Sequence, residues 1–173
     1  MKVPQKKIAI LVEDLYQVLE VWYPLLRLKE AGIAVQLVGT GSKNTYGSKE
    51  GYPAKVDKSI EDVKAGEFDG VIIPGGFAPD FLRRYDKVVQ LVKQLDEDGK
   101  VVAAICHGGW LLVSAKILKG RRATCFFAIK DDLVAAGADY IDQEVVVDRN
   151  LITSRKPEDL PAFVVEIIKK LKG

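Results

Sequence analysis

The sequence predicts an α/β domain in which a mostly parallel sheet carries helices on both faces. Three observations lead there. Short apolar runs alternate with stretches of helical periodicity along the chain. Runs such as Lys7 to Val12 are apolar at successive positions, as strands buried on both faces require. Two of the runs end in tight turns, Pro74-Gly75-Gly76 and Cys106-His107-Gly108, at the strand ends where open parallel sheets bind ligands.

The elements follow in order. Lys7 to Val12 is the first strand, stopped by Glu13 and Asp14. Glu20 to Ala31 reads as a helix, because Val21, Leu25 and Leu28 recur on one face and Gly32 supplies the stop. Pro24 then falls in its first turn, where proline is tolerated. Ile33 to Val38 is a second strand, and the Gly- and Ser-rich stretch from Thr40 to Val56 suggests a small hairpin or irregular excursion. Gly70 to Ile73 is the third strand. Asp86 to Asp98 is helical (Val88, Val89, Leu91, Val92, Leu95), capped by Asp86 and stopped by Gly99. Val101 to Ile105 is the fourth strand, leading into Cys106 and a helical stretch from Gly108 to Ala115. Arg122 to Cys125 reads as another strand and Lys130 to Ala136 as a short helix. Glu144 to Val147 and Leu151 to Ser154 form a hairpin around Asp148-Arg149-Asn150. Pro157, Glu158 and Asp159 open a last helix, whose stripe is Leu160, Phe163, Val164, Ile167, Ile168 and Leu171.

Composition narrows the function classes. A chain of 173 residues fits one domain over 1–173 and can bury a sizeable core. It is 48% hydrophobic and 29% charged with a net charge of only +2, so no footprint for nucleic acid or a membrane surface is expected. Lys169, Lys170 and Lys172 fit a solvated helix end. The basic start, Met1 to Lys7, is followed by too short an apolar run for a secretory leader. The uncharged stretch between Lys100 and Lys116 is too short to span a membrane. Two cysteines make no disulfide framework, so both thiols are expected free in a reducing cytoplasm. His107 is the only histidine, which excludes a metal site built on several, and no cluster has zinc spacing. Gly39-Thr40-Gly41 lacks the dinucleotide fingerprint. No metal and no cofactor are expected.

The strongest chemical signal is Cys106. A nucleophile elbow needs a strand, a residue on a strained turn and small neighbours two positions either side; Ala104 and Gly108 meet that spacing. A free cysteine is more often a small buried hydrophobe. Here the following helix start should favour the thiolate, the nucleophilic form. Adjacent side chains on a turn usually diverge, so direct proton exchange between Cys106 and His107 is expected to be awkward. Gly75 and Gly76 mark a close backbone approach, and a Gly76 N–H could join that of His107 to hold an oxyanion. Glu20 in a first helical turn needs no explanation beyond the helix dipole. Cys125, Trp22 and Trp110 read as packing residues.

The run Ala104-Ile105-Cys106-His107-Gly108, with Pro74-Gly75-Gly76 upstream and Glu20 four positions before Pro24, resembles the PfpI-type intracellular peptidases. Their superfamily also holds protein deglycases and glutathione-independent glyoxalases. The likeness extends to Arg27 to Gly32, Lys130-Asp131-Asp132, Glu144 to Asp148 and Ser154-Arg155, nearly the whole chain. It implies a flavodoxin-like three-layer sandwich of the class I glutamine amidotransferase type. It casts Cys106 as nucleophile with the Glu20 carboxyl beside it, and Gly76 and His107 N–H groups as the oxyanion hole. In the peptidase branch an acid from a neighbouring subunit pairs with the histidine. The matching position is Asp80, one methylene shorter than the Glu found there, so a homo-oligomer, dimer or larger, is implied.

A carboxyl beside a thiolate is a like-charge pair, so Glu20 should keep its proton and donate a hydrogen bond to sulfur. Such a site suits addition to an aldehyde or ketone more readily than amide cleavage, which needs an acid for the leaving amine. The expected substrate is therefore a small 2-oxoaldehyde such as methylglyoxal, or its early adduct on protein or nucleotide. The alternatives are a peptidase with a Cys106-His107-Asp80 triad across subunits, taking peptides, and a non-enzymatic redox sensor or chaperone.

Overall fold

A computed structural model describes residues 5–173; Met1 to Pro4, the first part of the basic start, lie outside the described residues. The strand β1 (Lys7–Val12) is buried along nearly its whole length, and β2 (Ala34–Gly39) pairs with it in parallel from Lys7 opposite Ala34 to Val12 opposite Gly39. Between them runs α1 (Val18–Glu30). This helix starts two residues before the expected Glu20, because the Gln17 side-chain oxygen accepts the Glu20 N–H at 3.1 Å and serves as the cap. Pro24 consequently sits inside the helix rather than in its first turn. It has no N–H to offer the Glu20 carbonyl, and its buried ring packs on the face that also carries Val21, Leu25 and Leu28.

The excursion between Thr40 and Val56 contains an antiparallel hairpin of β3 (Thr45–Gly47) and β4 (Pro53–Lys55). A two-residue strand, β5 (Lys58–Ser59), then joins the outer edge of β2. Next come β6 (Gly70–Ile73), the short helix α2 (Ala78–Leu82), α3 (Asp86–Glu97) and β7 (Val101–Ile105). After β7 lie α4 (Gly109–Ala115), β8 (Arg122–Ala123), α5 (Lys130–Ala135) and β9 (Asp139–Tyr140). The expected strand from Arg122 to Cys125 stops early: the Thr124 N–H bonds the Thr153 hydroxyl at 2.9 Å instead of continuing the ladder with β9. The hairpin of β10 (Val145–Asp148) and β11 (Leu151–Ser154) forms as expected, with Arg149 turning at φ 56°. The last helix, α6 (Leu160–Lys172), buries Leu160, Phe163, Val164, Ile167 and Leu171.

The main sheet has the order β10-β11-β7-β6-β1-β2-β5, and only β10 runs antiparallel. Helices α1 and α6 pack together on one face, α3 and α4 on the other. This is the flavodoxin-like, three-layer arrangement. One lock ties the hairpin to α3. Arg121, 4% exposed, donates to Asp96 (3.0 Å), the Asp148 carbonyl (2.7 Å) and Asn150 (3.0 Å). Among the described residues no helix is long and apolar enough to cross a membrane.

Candidate active site

The chain leaves β1 toward β2 on one side and later returns to β6 on the other, which opens a crevice at the strands' carboxyl ends. The turns after β1, β6 and β7 meet there. Ile73 of β6 lies opposite Ala104 of β7, so the Gly75-Gly76 and Cys106 turns leave the sheet side by side. Cys106 follows β7 with φ 59°, a left-handed conformation that costs an L-residue about 1–2 kcal/mol. A tight turn over Cys106–Gly108 leads into α4. A side chain at Gly108 would put its Cβ 2.4 Å from the Ile73 carbonyl oxygen, the steric demand an elbow makes of its neighbours.

Gly75 and Gly76 are fixed by what they touch. A Cβ on Gly75 would stand 2.7 Å from both the Cys106 Cβ and Glu20 Oε2. Gly76 has φ 76°, and a Cβ there would reach within 2.4 Å of the Leu15 carbonyl oxygen. Only bare backbone lets these three segments close together.

Glu20 is completely buried, and its Oε2 accepts the Gly75 N–H at 2.6 Å. The helix-dipole account of this acid therefore falls short: the side chain turns inward to the sulfur. Oε1 has no well-formed hydrogen bond, although carboxyl and sulfur are close enough to influence each other's protonation. Burial pushes the Glu20 pKa up to about 7, outweighing the Gly75 N–H, which acts the other way. Burial also pushes the Cys106 thiol up to about 12, and negative charge on Glu20 adds to the effect. The backbone N–H groups of His107 and Gly76, close to the sulfur, act the other way and lower it. Desolvation thus opposes the preference for thiolate that the helix start supplies. Both groups are raised, so at neutral pH the pair keeps at least one proton between carboxyl and sulfur.

His107 departs from expectation as well. Its Nδ1 lies 3.2 Å from Cys106 Sγ, so the adjacent side chains do not diverge. The left-handed turn at Cys106 swings the ring inward, where it stacks on Phe126 (5.0 Å between centroids) and meets Trp110 edge-on (5.3 Å). Burial first, and the positive charge of Lys49 second, lower its pKa, so the imidazole is neutral at pH 7. Asp80 stands apart: it sits in α2 and pairs with Arg84 one turn on. Within one chain it makes no bond to His107 among the described contacts.

Around this cluster opens a cleft of about 480 Å³, lined by Gln17, Lys49, Phe77, Trp110, Phe126 and Pro157 beside Gly76, Cys106 and His107. Trp110, read from sequence as packing, is a wall of the cleft, held by its N–H to Asp132 (2.8 Å). Trp22 does pack, donating to the Tyr16 hydroxyl at 3.1 Å, and Cys125 is 1% exposed core. Gln17, Lys49 and Phe77 gave no sequence signal. Among the described residues no group of His, Cys, Asp and Glu side chains is arranged to hold a metal ion.

Known proteins share this architecture. A deglycase of Pyrococcus abyssi is 44% identical over 166 residues, covering 96% of this chain and 99% of that protein. A Bacillus subtilis protein, YraA, named provisionally as a cysteine protease, is 43% identical, covering 96% and 99%. A two-domain crystal structure from Anabaena variabilis, with DJ-1/ThiJ/PfpI-like and ferritin-like domains, superposes with a TM-score of 0.95 at 43% identity. That match covers 97% of this chain, which spans about half (48%) of the other. Residues 6–170 match the DJ-1/PfpI family model, and with these relatives they show that the chain belongs to the DJ-1/PfpI family.

Proposed function

We propose that this chain is a cysteine-dependent hydrolase or glyoxalase acting on 2-oxoaldehydes such as methylglyoxal and glyoxal, or on their early adducts with proteins and nucleotides. The observation that carries the reading is the fully buried Glu20 carboxyl set beside the Cys106 sulfur, with its pKa pushed up by burial to about 7. Cys106 sulfur adds to the aldehyde carbon; the C–S bond forms as the carbonyl π pair moves to oxygen, and that oxygen takes a proton. The N–H groups of Gly76 and His107 stand beside the sulfur, where they can meet the developing oxyanion. The Glu20 carboxylate then carries the C1 proton of the hemithioacetal to C2, which leaves a thioester of a 2-hydroxy acid. Water cleaves the thioester, so methylglyoxal plus water becomes lactate and the thiol returns. The deglycase name of the Pyrococcus relative supports the adduct branch.

The test is conversion of methylglyoxal to lactate without glutathione, comparing wild type with Cys106→Ser at equal concentration and matched circular dichroism. A clear wild-type rate lost in the variant supports the reading; no wild-type rate above buffer ends it.

One observation favours a second reading, an ATP-independent peptidase in the cytoplasm: the 3.2 Å contact between Sγ and His107 Nδ1. Its triad needs Asp80 from a neighbouring subunit, hence a homo-oligomer. Asp80→Ala separates the two, because peptide cleavage should vanish while aldehyde turnover persists. A third reading is a non-enzymatic redox sensor or chaperone, in which Cys106 is the thiol that is oxidised. An unmodified Cys106 after mild peroxide, read by mass spectrometry, removes it.

A further inference from the structure

Lys49 lines the cleft, yet no step of the proposed chemistry uses it. Its place is fixed by backbone: its N–H donates to the Tyr16 carbonyl at 3.0 Å, and the preceding Ser48 forms a β-bridge with Tyr16. The Ser48 hydroxyl accepts the N–H groups of Glu50 (3.1 Å) and Tyr52 (3.0 Å), which stiffens the turn that presents the lysine. Among the described residues its ammonium makes no ion pair. Glu50, its neighbour in the chain, does not line the cleft.

The other polar groups of the cleft donate too. The backbone N–H groups of Gly76 and His107 lie near the sulfur, and the Gln17 side-chain oxygen accepts the Glu20 N–H, which leaves its amide NH₂ to the cleft. The walls are Phe77, Trp110 and Phe126, apolar rings that screen charge less than water does and so strengthen any charge interaction inside. The Lys49 charge is felt on both sides of the sulfur, at Glu20 and at His107, while Glu50 acts on Glu20 in the opposite sense. A donor-lined, apolar-walled cleft with one unpaired cation is complementary to an anion.

We propose that Lys49 is a specificity residue: it attracts the negative charge of a substrate held in the cleft, so that the preferred electrophiles of Cys106 are anionic carbonyl compounds. This rests on Cys106 being the nucleophile, but not on aldehyde turnover.

The experiment is paired alkylation. Iodoacetate and iodoacetamide both react with a thiolate, the C–S bond forming as the C–I bond breaks and iodide leaves. They differ only in carboxylate against amide. Because both need the same thiolate, the ratio of their rates cancels any change in its amount. Rates are read on the Cys106 peptide by mass spectrometry, which separates it from Cys125. The iodoacetate-to-iodoacetamide ratio should fall about fivefold in Lys49→Gln, recover in Lys49→Arg, and shrink with added salt in the wild type. A ratio unchanged in Lys49→Gln, or lost equally in Lys49→Arg, overturns the proposal. Failure of the enzyme reading appears elsewhere, as absent methylglyoxal turnover with the alkylation ratio intact.

Discussion

Replacing Glu20 by Gln isolates the cost of keeping an acid in the core beside a sulfur. In the folded protein the carboxyl has a pKa of about 7, against 4.5 for an ordinary glutamate, which the unfolded chain recovers. The difference, 7 minus 4.5, converts at about 1.4 kcal/mol per pH unit to about 3 kcal/mol. The folded value is the higher one, so the native state binds the proton more tightly. The stabilisation is complete below about pH 4.5, declines as pH rises from there, and is gone above about pH 7. Cys106 does not disturb this window, because its own ionisation is suppressed until far above neutrality. Gln keeps an oxygen for the Gly75 N–H but cannot ionise. Urea unfolding of wild type and Glu20→Gln at pH 5, 6, 7 and 8 reads the effect. The wild type should lose about 2–3 kcal/mol relative to the variant between pH 5 and pH 8, other groups cancelling in the difference. A wild-type-minus-variant difference that is flat with pH would refute the claim that Glu20 is a buried acid titrating near neutrality.

The remaining predictions concern packing and backbone. Gly75→Ala forces a Cβ against Cys106 and Glu20, and aldehyde turnover should drop about 100-fold while far-ultraviolet circular dichroism stays native. Arg121→Ala strands Asp96 and the Asp148 carbonyl and should cost about 3–5 kcal/mol in urea unfolding; a loss below 1 kcal/mol would mean water satisfies them. Lys116 ends α4 at φ 59°, so Lys116→Gly should raise stability by about 0.5–1 kcal/mol, seen as a higher urea midpoint at unchanged slope.

The parts of this fold that were legible in sequence are those whose signal is local. The apolar run Ile8 to Val12 in β1, the Ala104/Gly108 spacing around Cys106 and the α6 stripe each carry their meaning within a few positions. The strands β5 and β9, two residues apiece, and the five-residue α2 are too short to display any period. The start of α1 was misplaced because Gln17 is an uncommon cap whose action shows only in its bond to the Glu20 N–H. Site residues divide the same way. Gly75, Gly76 and Cys106 announce themselves by turn chemistry. Glu20 does not, since an acid in a first turn looks the same whether it faces water or a sulfur. Lys49 lies in a polar excursion among many exposed residues, and only the β-bridge from Ser48 to Tyr16 carries it to the cleft. Desolvation is equally non-local: the helix start favours a thiolate, and the surrounding core opposes it.

The two candidate chemistries differ in what one chain can supply. Amide cleavage needs a proton for the departing amine. The nearest imidazole, His107, is neutral at pH 7 because burial and Lys49 lower its pKa. An acid paired with the ring would raise it again, but Asp80 of the same chain is engaged with Arg84, so the correction must come from another copy. Aldehyde isomerisation needs a nucleophile, oxyanion donors and one group that both gives and takes a proton near neutrality. A carboxyl with a pKa of about 7 against the sulfur meets the last need. It follows that aldehyde turnover should be first order in protein and unaffected by dilution that dissociates an oligomer, whereas peptide cleavage should fall steeply. Activity measured across a dilution series with size-exclusion chromatography in parallel checks this. Aldehyde turnover that tracked the oligomer fraction would mean that the second subunit completes this chemistry too, and the single-chain account of the Glu20–Cys106 pair would be wrong.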